Sequence, residues 1–135
     1  MKHVTFPVLW TIALVICGSS AMATPVENLT GGQTGRIEYQ SMNPPNRWEY
    51  ARLNMQNTTQ AVVWGDLLMP KNISGKVPAL VLSHGSSGIS PAAYDVWARD
   101  MNAAGVAIFI IDSFKPRGID QTATDQSKVT FPAQT

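Results

Sequence analysis

An apolar strand that runs directly into a glycine-containing turn is the feature of this sequence that most constrains its fold. Residues 79–83 are almost wholly apolar, and His84-Gly85-Ser86-Ser87-Gly88 follows them at once. A near-continuous apolar run of this length is typical of a strand covered on both faces of a parallel sheet. The turn after it can aim a backbone N–H at a substrate oxygen. We therefore expect a buried parallel strand with a candidate binding turn at its carboxyl end.

A helix and a second apolar strand are predicted after this turn. Ser90 suits an N-cap, Pro91 suits the first helical position, and Gly105 suits a left-handed C-terminal cap. The following run, 106–111, is apolar throughout. Strand, helix and strand in this order predict a right-handed parallel crossover. One face of this helix is apolar, because apolar residues recur at helical spacing at Tyr94, Trp97, Met101 and Ala104. We expect this stripe to pack on the sheet.

The residues before this unit predict two further strands. Residues 36–42 alternate polar and apolar side chains, which indicates a half-buried edge strand, and residues 61–69 are also strand-like. The segment 47–59 between them is either a short helix or irregular. We assign residues 24–60 to a lead-in with the edge strand. Altogether the pattern predicts an α/β fold with a mostly parallel sheet.

The first 23 residues have the pattern of a secretory signal peptide. A short basic start precedes the apolar run from Val4 to Cys17, and Ala21-Met22-Ala23 forms a small-x-small cleavage site. The apolar run is shorter than the roughly 20 residues that a bilayer core requires, so we expect no stable membrane anchor. The predicted product is secreted or periplasmic and begins at Thr24.

Composition excludes several classes of partner. Removal of residues 1–23 takes away one of the ten basic residues and the one cysteine. The remaining chain has nine basic and nine acidic side chains and is formally neutral. A neutral chain without a basic stripe is not expected to bind nucleic acid. No cluster has metal-ligand spacing and no G-x-G-x-x-G follows a strand, so the sequence predicts neither a metal nor a cofactor.

The polar residues around the turn each allow two interpretations. His84 is either a general base or a residue that orients the turn by hydrogen bonding, and we favour the second. Ser86 and Ser87 lack the strained elbow of a nucleophile, so their backbone N–H groups are the better candidates. Asp112 is expected to close a turn with Ser113. Arg117 is either a partner for a substrate carboxylate or a structural residue.

Residues 61–119 resemble the N-terminal half of the dienelactone hydrolase family. The resemblance rests on the Pro78 to Gly88 turn and on the loop Asp112-Ser113-Phe114-Lys115-Pro116-Arg117-Gly118, which occur in the order of that family. It implies that residues 61–135 are the N-terminal half of an α/β-hydrolase domain. The fold expected from it is an incomplete, mostly parallel sheet with a β-α-β crossover.

The resemblance implies a hydrolase of carboxylic esters or lactones, with a small ester or lactone as its substrate. It places the Ser86 N–H in the oxyanion hole, supported by His84, Gly85, Ser87 and Gly88. Ser113, Phe114 and Arg117 are the implied candidates for a substrate pocket. The sequence holds no G-x-S-x-G elbow. The Cys or Ser nucleophile, the Asp and the catalytic His are therefore expected beyond Thr135, and the chain alone is expected to be inactive.

Two alternatives remain open at this point. One is a non-catalytic binding protein, or pseudo-hydrolase, on a truncated hydrolase scaffold. The other is a structural module unrelated to hydrolases, which would require both motifs to coincide by chance. The residues that follow Thr135 discriminate the first alternative from an enzyme, because an intact nucleophile elbow there indicates catalysis.

The signal peptide gives a direct test. We expect mass spectrometry of secreted or periplasmic material to find an N-terminus at Thr24, because the small residues at Ala21 and Ala23 fit the leader-cleavage site. An intact Met1 in that material would contradict the cleavage site. Retention in the membrane fraction would instead indicate an uncleaved anchor.

Overall fold

The computed structural model of the chain describes residues 24–128 together with residues 130 and 132. The predicted signal peptide, residues 1–23, lies outside the described residues. Within these ranges no helix is long and apolar enough to cross a membrane. The elements in chain order are β1 (Gly35–Asn43), α1 (Arg47–Ala51), β2 (Thr59–Leu68), β3 (Ala79–Leu82), a π-helical segment (Ala93–Ala98), α2 (Arg99–Ala103), β4 (Ala107–Asp112) and two 3₁₀ turns (Lys115–Arg117 and Gln126–Lys128).

The four strands form one mixed sheet in the order β1-β2-β4-β3. β1 pairs antiparallel with β2, and β2 pairs antiparallel with β4, with Trp64 opposite Asp112. Only β3 and β4 run parallel, with Leu82 opposite Ile110. The predicted fold class, a mostly parallel sheet forming part of an α/β-hydrolase fold, is therefore wrong. The pattern of apolar residues indicated where strands lie but not their direction, and β2 enters the sheet between β1 and β4 in the opposite sense.

Strand β3 lies at an edge of the sheet and is not covered on both faces. It pairs only with β4, and Val81 is 61% exposed. Leu80 is also exposed among the described residues. The expectation of a fully buried strand was wrong because an apolar run gives the same pattern in a central strand and in an uncovered edge strand.

The main core lies between the sheet and the helical residues after the turn. Ala93, Ala98, Ile108 and Ile110 are buried there, and Leu68, Leu82, Ile89, Tyr94 and Met101 pack around them. Ala93 and Ala98 are five residues apart, which matches the i to i+5 hydrogen bonding of a π-helical turn. This wider turn shifts the inward face, so Trp97 is 53% exposed and is not in the core as we expected.

The opposite face of the sheet is built around a glycine. Gly65 in β2 lies beneath the ring of Phe109, and a Cβ added there would be 2.6 Å from Phe109 Cζ. Phe109 also contacts the Tyr39 ring, with 6.0 Å between the ring centroids. Val26 pairs with Tyr39 and brings the N-terminal lead-in onto this face. Thus the absence of a side chain at position 65 lets an aromatic ring lie flat against the central strand.

A partly buried side-chain hydrogen bond joins the π-helical segment to β2. The Tyr94 hydroxyl donates to Asp66 Oδ2 over 2.6 Å, and Arg36 Nε lies 3.6 Å from the other oxygen of that carboxylate. Partial burial, followed by the hydrogen bond to Asp66 and the negative charge of Asp66, raises the pKa of Tyr94 to about 12. The same hydrogen bond therefore holds the helical segment to the sheet only while the phenol keeps its proton.

This contact predicts a loss of stability at alkaline pH. Its contribution is fully present below the ordinary pKa of 10.0, where the phenol is protonated in both the folded and the unfolded chain. It is lost as the pH rises toward about 12, because the unfolded chain ionises first. We expect Tyr94→Phe to lower the free energy of unfolding by about 1 kcal/mol at pH 7 and to flatten the fall in stability above pH 10. Denaturant melts across this pH range measure both effects.

The exposed Tyr50 provides the matched control, because the hydroxyl that donates to Asp66 is that of Tyr94. Tyr50→Phe should leave the alkaline limb of the stability curve as it is in the parent chain. An equally steep alkaline limb in the parent and in Tyr94→Phe would contradict this account.

Candidate functional site

The turn after β3 is held in shape by its own backbone. The Gly88 N–H donates to the Gly85 carbonyl over 3.0 Å, which closes the four-residue turn. Gly88 has φ of 73°, in the left-handed region that favours glycine. A Cβ at Gly88 would also lie 2.9 Å from the carbonyl oxygen of Asp120. Both the backbone angle and the close neighbour therefore require glycine at this position.

A second segment, residues 119–122, fixes the turn from outside. The Thr122 N–H donates to the Ser86 carbonyl over 2.7 Å, and the Thr122 hydroxyl donates to the same oxygen over 3.3 Å. Thr122 is almost completely buried. Sequence reasoning missed this residue, because a lone Thr in a polar loop carries no signal that distinguishes it from its neighbours. The result is a turn in which the Gly85 and Ser86 carbonyl groups are both bonded, the second of them by the segment 119–122.

The His84 ring connects the turn to the end of β4. Its Nδ1 bonds the Gly85 carbonyl over 2.9 Å, and its Nε2 accepts the Ser113 N–H over 3.2 Å. These partners fix a neutral ring that carries its proton on Nδ1. The Ser113 hydroxyl lies 3.1 Å from Nε2, and the Phe114 ring packs edge-on at 4.3 Å between centroids. With a side chain 4% exposed and both nitrogens bonded, His84 has the geometry of an orienting residue.

Asp112 shapes the loop that follows β4. Its Oδ1 accepts the N–H groups of Phe114 and Lys115, over 3.1 and 2.9 Å, so the carboxylate closes the local turn. The same oxygen lies 4.0 Å from His84 Nε2. Within residues 24–128, 130 and 132, no three His, Cys, Asp or Glu side chains are grouped to hold a metal ion. Asp112 is thus a structural carboxylate in this arrangement.

Two backbone donors of the turn have no partner in the described part of the chain. The N–H groups of Ser86 and Ser87 make no hydrogen bond there, and both residues are exposed. Beside the turn lies an open cleft of about 190 Å³, whose lining includes His84, Gly85, Gly88, Ser90 and Trp97. Neither Ser86 nor Ser87 is among the residues that line this cleft, so the two N–H groups face the exposed side of the turn. Free N–H groups on a fixed turn can bind an anionic oxygen there.

The residues predicted for a substrate pocket are distributed differently. Ser113 and Phe114 contact the His84 ring, and Phe114 packs with Ile119 in a small buried cluster. None of Ser113, Phe114 and Arg117 is among the residues that line the cleft beside the turn. The structure therefore places Ser113 and Phe114 against the His84 ring and brings none of the three residues into this cleft.

Arg117 makes three hydrogen bonds within the chain. Its Nε donates to Asn43 Oδ1 over 3.0 Å, Nη1 to the Ser113 carbonyl over 3.0 Å, and Nη2 to Ser41 Oγ over 3.3 Å. Partial burial lowers the pKa of Arg117 from its ordinary value, and Tyr39 acts in the opposite direction. The guanidinium thus joins the loop after β4 to the end of β1, which is the structural interpretation of this residue.

Comparison with known protein families, with curated proteins and with solved structures found no match to this chain. The resemblance to dienelactone hydrolases therefore rests on the two sequence motifs. Its functional implications stay hypotheses, which the geometry of the turn makes testable.

The two glycines of the turn predict different responses to the same substitution. Gly88→Ala forces a left-handed alanine against the Asp120 carbonyl, and we expect it to cost about 1–3 kcal/mol of stability. Gly85→Ala is the matched control, because a Cβ there meets no atom within 4 Å. Urea melts measure both variants. Equal costs for the two substitutions would show that the approach of Asp120 does not constrain the turn.

Proposed function

We propose that this chain supplies the oxyanion-binding turn of a carboxylic ester hydrolase of the dienelactone hydrolase type. One observation carries the proposal: the unpaired N–H groups of Ser86 and Ser87 on a turn fixed by Gly88 and Thr122. The family resemblance selects the Ser86 N–H as the donor that contacts the substrate. The proposal depends on this turn and not on the direction of the strands.

The proposed chemistry is acyl transfer to water. A nucleophile attacks the ester or lactone carbonyl, and the carbonyl oxygen acquires negative charge as the tetrahedral intermediate forms. The Ser86 N–H and the N–H of the residue after the nucleophile donate to that oxygen. Because the Gly85 carbonyl, which shares a peptide group with the Ser86 N–H, is already held by the Gly88 N–H and by His84 Nδ1, that peptide group needs no reorganisation as the charge develops. Preorganised donors are effective for this reason.

The nucleophile is not assigned to the polar residues near the turn. Ser113 is the one serine whose hydroxyl contacts the His84 ring in the described residues. Its own N–H occupies the same Nε2 that would have to take the hydroxyl proton. The adjacent N–H groups of Phe114 and Lys115 are bonded to Asp112, so they do not form an oxyanion hole for Ser113. The proposal therefore retains a Cys or Ser nucleophile beyond Thr135.

A non-catalytic binding protein is the second candidate function. The same free N–H groups of Ser86 and Ser87 can hold a carboxylate, since they donate to any anionic oxygen that reaches the turn. The bonded state of both His84 nitrogens favours this alternative for the residues described. The two candidates differ in one requirement, which is a nucleophile elbow.

The first test reads the gene beyond the codon for Thr135. We expect a G-x-S-x-G or G-x-C-x-G elbow followed by an Asp and a His, which is the order of the triad in such hydrolases. In that longer product, Ser86→Pro removes the backbone donor and should lower turnover of p-nitrophenyl acetate by about 10² to 10³. Ser86→Ala keeps the N–H and should change turnover little.

The comparison requires that both variants match the parent in circular dichroism and melting temperature, because proline can distort the turn. A folded Ser86→Ala variant as inactive as the proline variant would assign the chemistry to the hydroxyl and overturn the backbone role. An immediate stop codon, with carboxylate binding that Ser86→Pro abolishes, would support the binding protein instead.

A further inference from the structure

The connection between β1 and β2 exposes a group of large apolar side chains. Trp48 is 68% and Leu53 is 78% exposed, and Met42 and Tyr50 are each about half exposed. Met42, Tyr50 and Met55 line one shallow cleft, and Trp48 and Leu53 belong to the same connection between the two strands. We call Met42, Trp48, Tyr50 and Leu53 the apolar loop patch. Clustered apolar side chains of this kind mark an interaction surface more often than isolated ones do.

Leu53 is held in a backbone conformation that disfavours it. Its φ is 54°, in the left-handed region, at the position after the C-cap of α1 where glycine is the usual residue. The conformation is fixed by bonds on both sides, from the Leu53 N–H to the Tyr50 carbonyl and from the Asn54 N–H to the Glu49 carbonyl. A leucine here costs conformational energy, and at 78% exposure it gains little packing from the described chain. Leu53 thus adopts a strained conformation without burying its side chain in the described chain.

The charges around the patch identify the kind of surface that fits it. The guanidinium groups of Arg47 and Arg52 make no hydrogen bond or ion pair in the described part of the chain. Glu49 is engaged, since its carboxylate accepts the Asn54 side-chain amide over 2.5 Å. The patch thus combines two free cations with an exposed Trp, Tyr, Leu and Met. Its complement is both apolar and anionic.

A layer of anionic phospholipid headgroups has this combination. Trp and Tyr favour the boundary between headgroups and acyl chains, and arginines extend from there to the phosphates. The apolar area on offer is on the order of 400 Å², which is half of the roughly 800 Å² that each partner contributes to a standard protein interface. A lipid surface needs no matching shape, so a small patch is sufficient there.

We propose that the apolar loop patch, together with Arg47 and Arg52, is a site for peripheral docking on anionic lipid surfaces. The contact requires neither a membrane-spanning helix nor the hydrolase activity. It places the β1–β2 connection at the headgroup level, with Trp48 and Leu53 inserted and the two guanidinium groups at the phosphates.

A site-specific fluorophore tests this proposal in the predicted product that begins at Thr24, which contains no cysteine. Ala51→Cys carries an environment-sensitive NBD label on the exposed face of α1. The control label is placed by Ser74→Cys, in the connection at the opposite end of β2. With vesicles of phosphatidylcholine and phosphatidylglycerol, we expect a blue shift and quenching by spin-labelled lipid at position 51 and little of either at position 74.

Variants separate lipid binding from folding. Leu53→Gly removes the strained leucine, so it should keep or raise the melting temperature and yet reduce quenching at position 51 several-fold. Trp48→Ala should also reduce it several-fold, whereas Trp97→Ala, which removes another exposed Trp elsewhere in the chain, should not. Arg47→Gln with Arg52→Gln should remove the preference for vesicles that contain phosphatidylglycerol over pure phosphatidylcholine.

Three outcomes would overturn the proposal. One is equal quenching at positions 51 and 74, which shows general association through another part of the chain. Another is a folded Leu53→Gly variant that is quenched as strongly as the parent. The third is a blue shift at position 51 that grows with protein concentration in the absence of lipid, which would make a second copy the occupant of the patch.

Discussion

The buried His84 ring is the contact on which the arrangement of the candidate site depends. One nitrogen holds the Gly85 carbonyl and the other holds the Ser113 N–H, so a single side chain spans the ends of β3 and β4. Without the ring, the Ser113 N–H would lose its bond to Nε2 in a partly buried place, which is costly, whereas the exposed Gly85 carbonyl would keep its bond from the Gly88 N–H. The Phe114 ring limits the access of water from one side. The turn and the loop after β4 consequently hold each other in place, and Thr122 and Arg117 add further restraints at their outer ends.

The sequence predicted where the strands lie but not the direction in which each one runs. The runs 36–42, 61–69 and 106–111 became β1, β2 and β4 with boundaries shifted by only one or two residues. Direction was not predictable, because a strand-like run has the same pattern in either sense, and β2 pairs antiparallel with β4. Burial was not predictable either, since Val81 and Ile110 belong to similar apolar runs although one is at an exposed edge and the other is in the core. Trp97 was misplaced for another reason, because helical spacing assumes 3.6 residues per turn and the segment 93–98 is wider.

For the candidate site, the sequence predicted the parts that are local and missed those that depend on tertiary contacts. The glycine-containing turn at 84–88 and the turn-closing role of Asp112 are local properties of a few consecutive residues. The Thr122 contacts with Ser86 join residues 36 positions apart, and the Tyr94 contact with Asp66 spans 28. Nothing in a single sequence pairs residues across such separations without a repeated pattern. Arg117 is a further example, because its partners on β1 are distant in the sequence and only the folded sheet brings them close to it.

The two proposals are related because the turn and the apolar loop patch lie at the same end of the sheet. Because β2 runs antiparallel to β4, its first residue, Thr59, lies at the same end of the sheet as the carboxyl end of β4. The β1–β2 connection and the turn at 84–88 therefore share one end of the molecule, and Arg117 bridges that end from the loop after β4 to Asn43. Docking of the patch on lipid would bring the turn close to the surface where apolar esters concentrate. Lipid contact at the opposite end of the sheet would have separated the turn from such substrates by the length of β2.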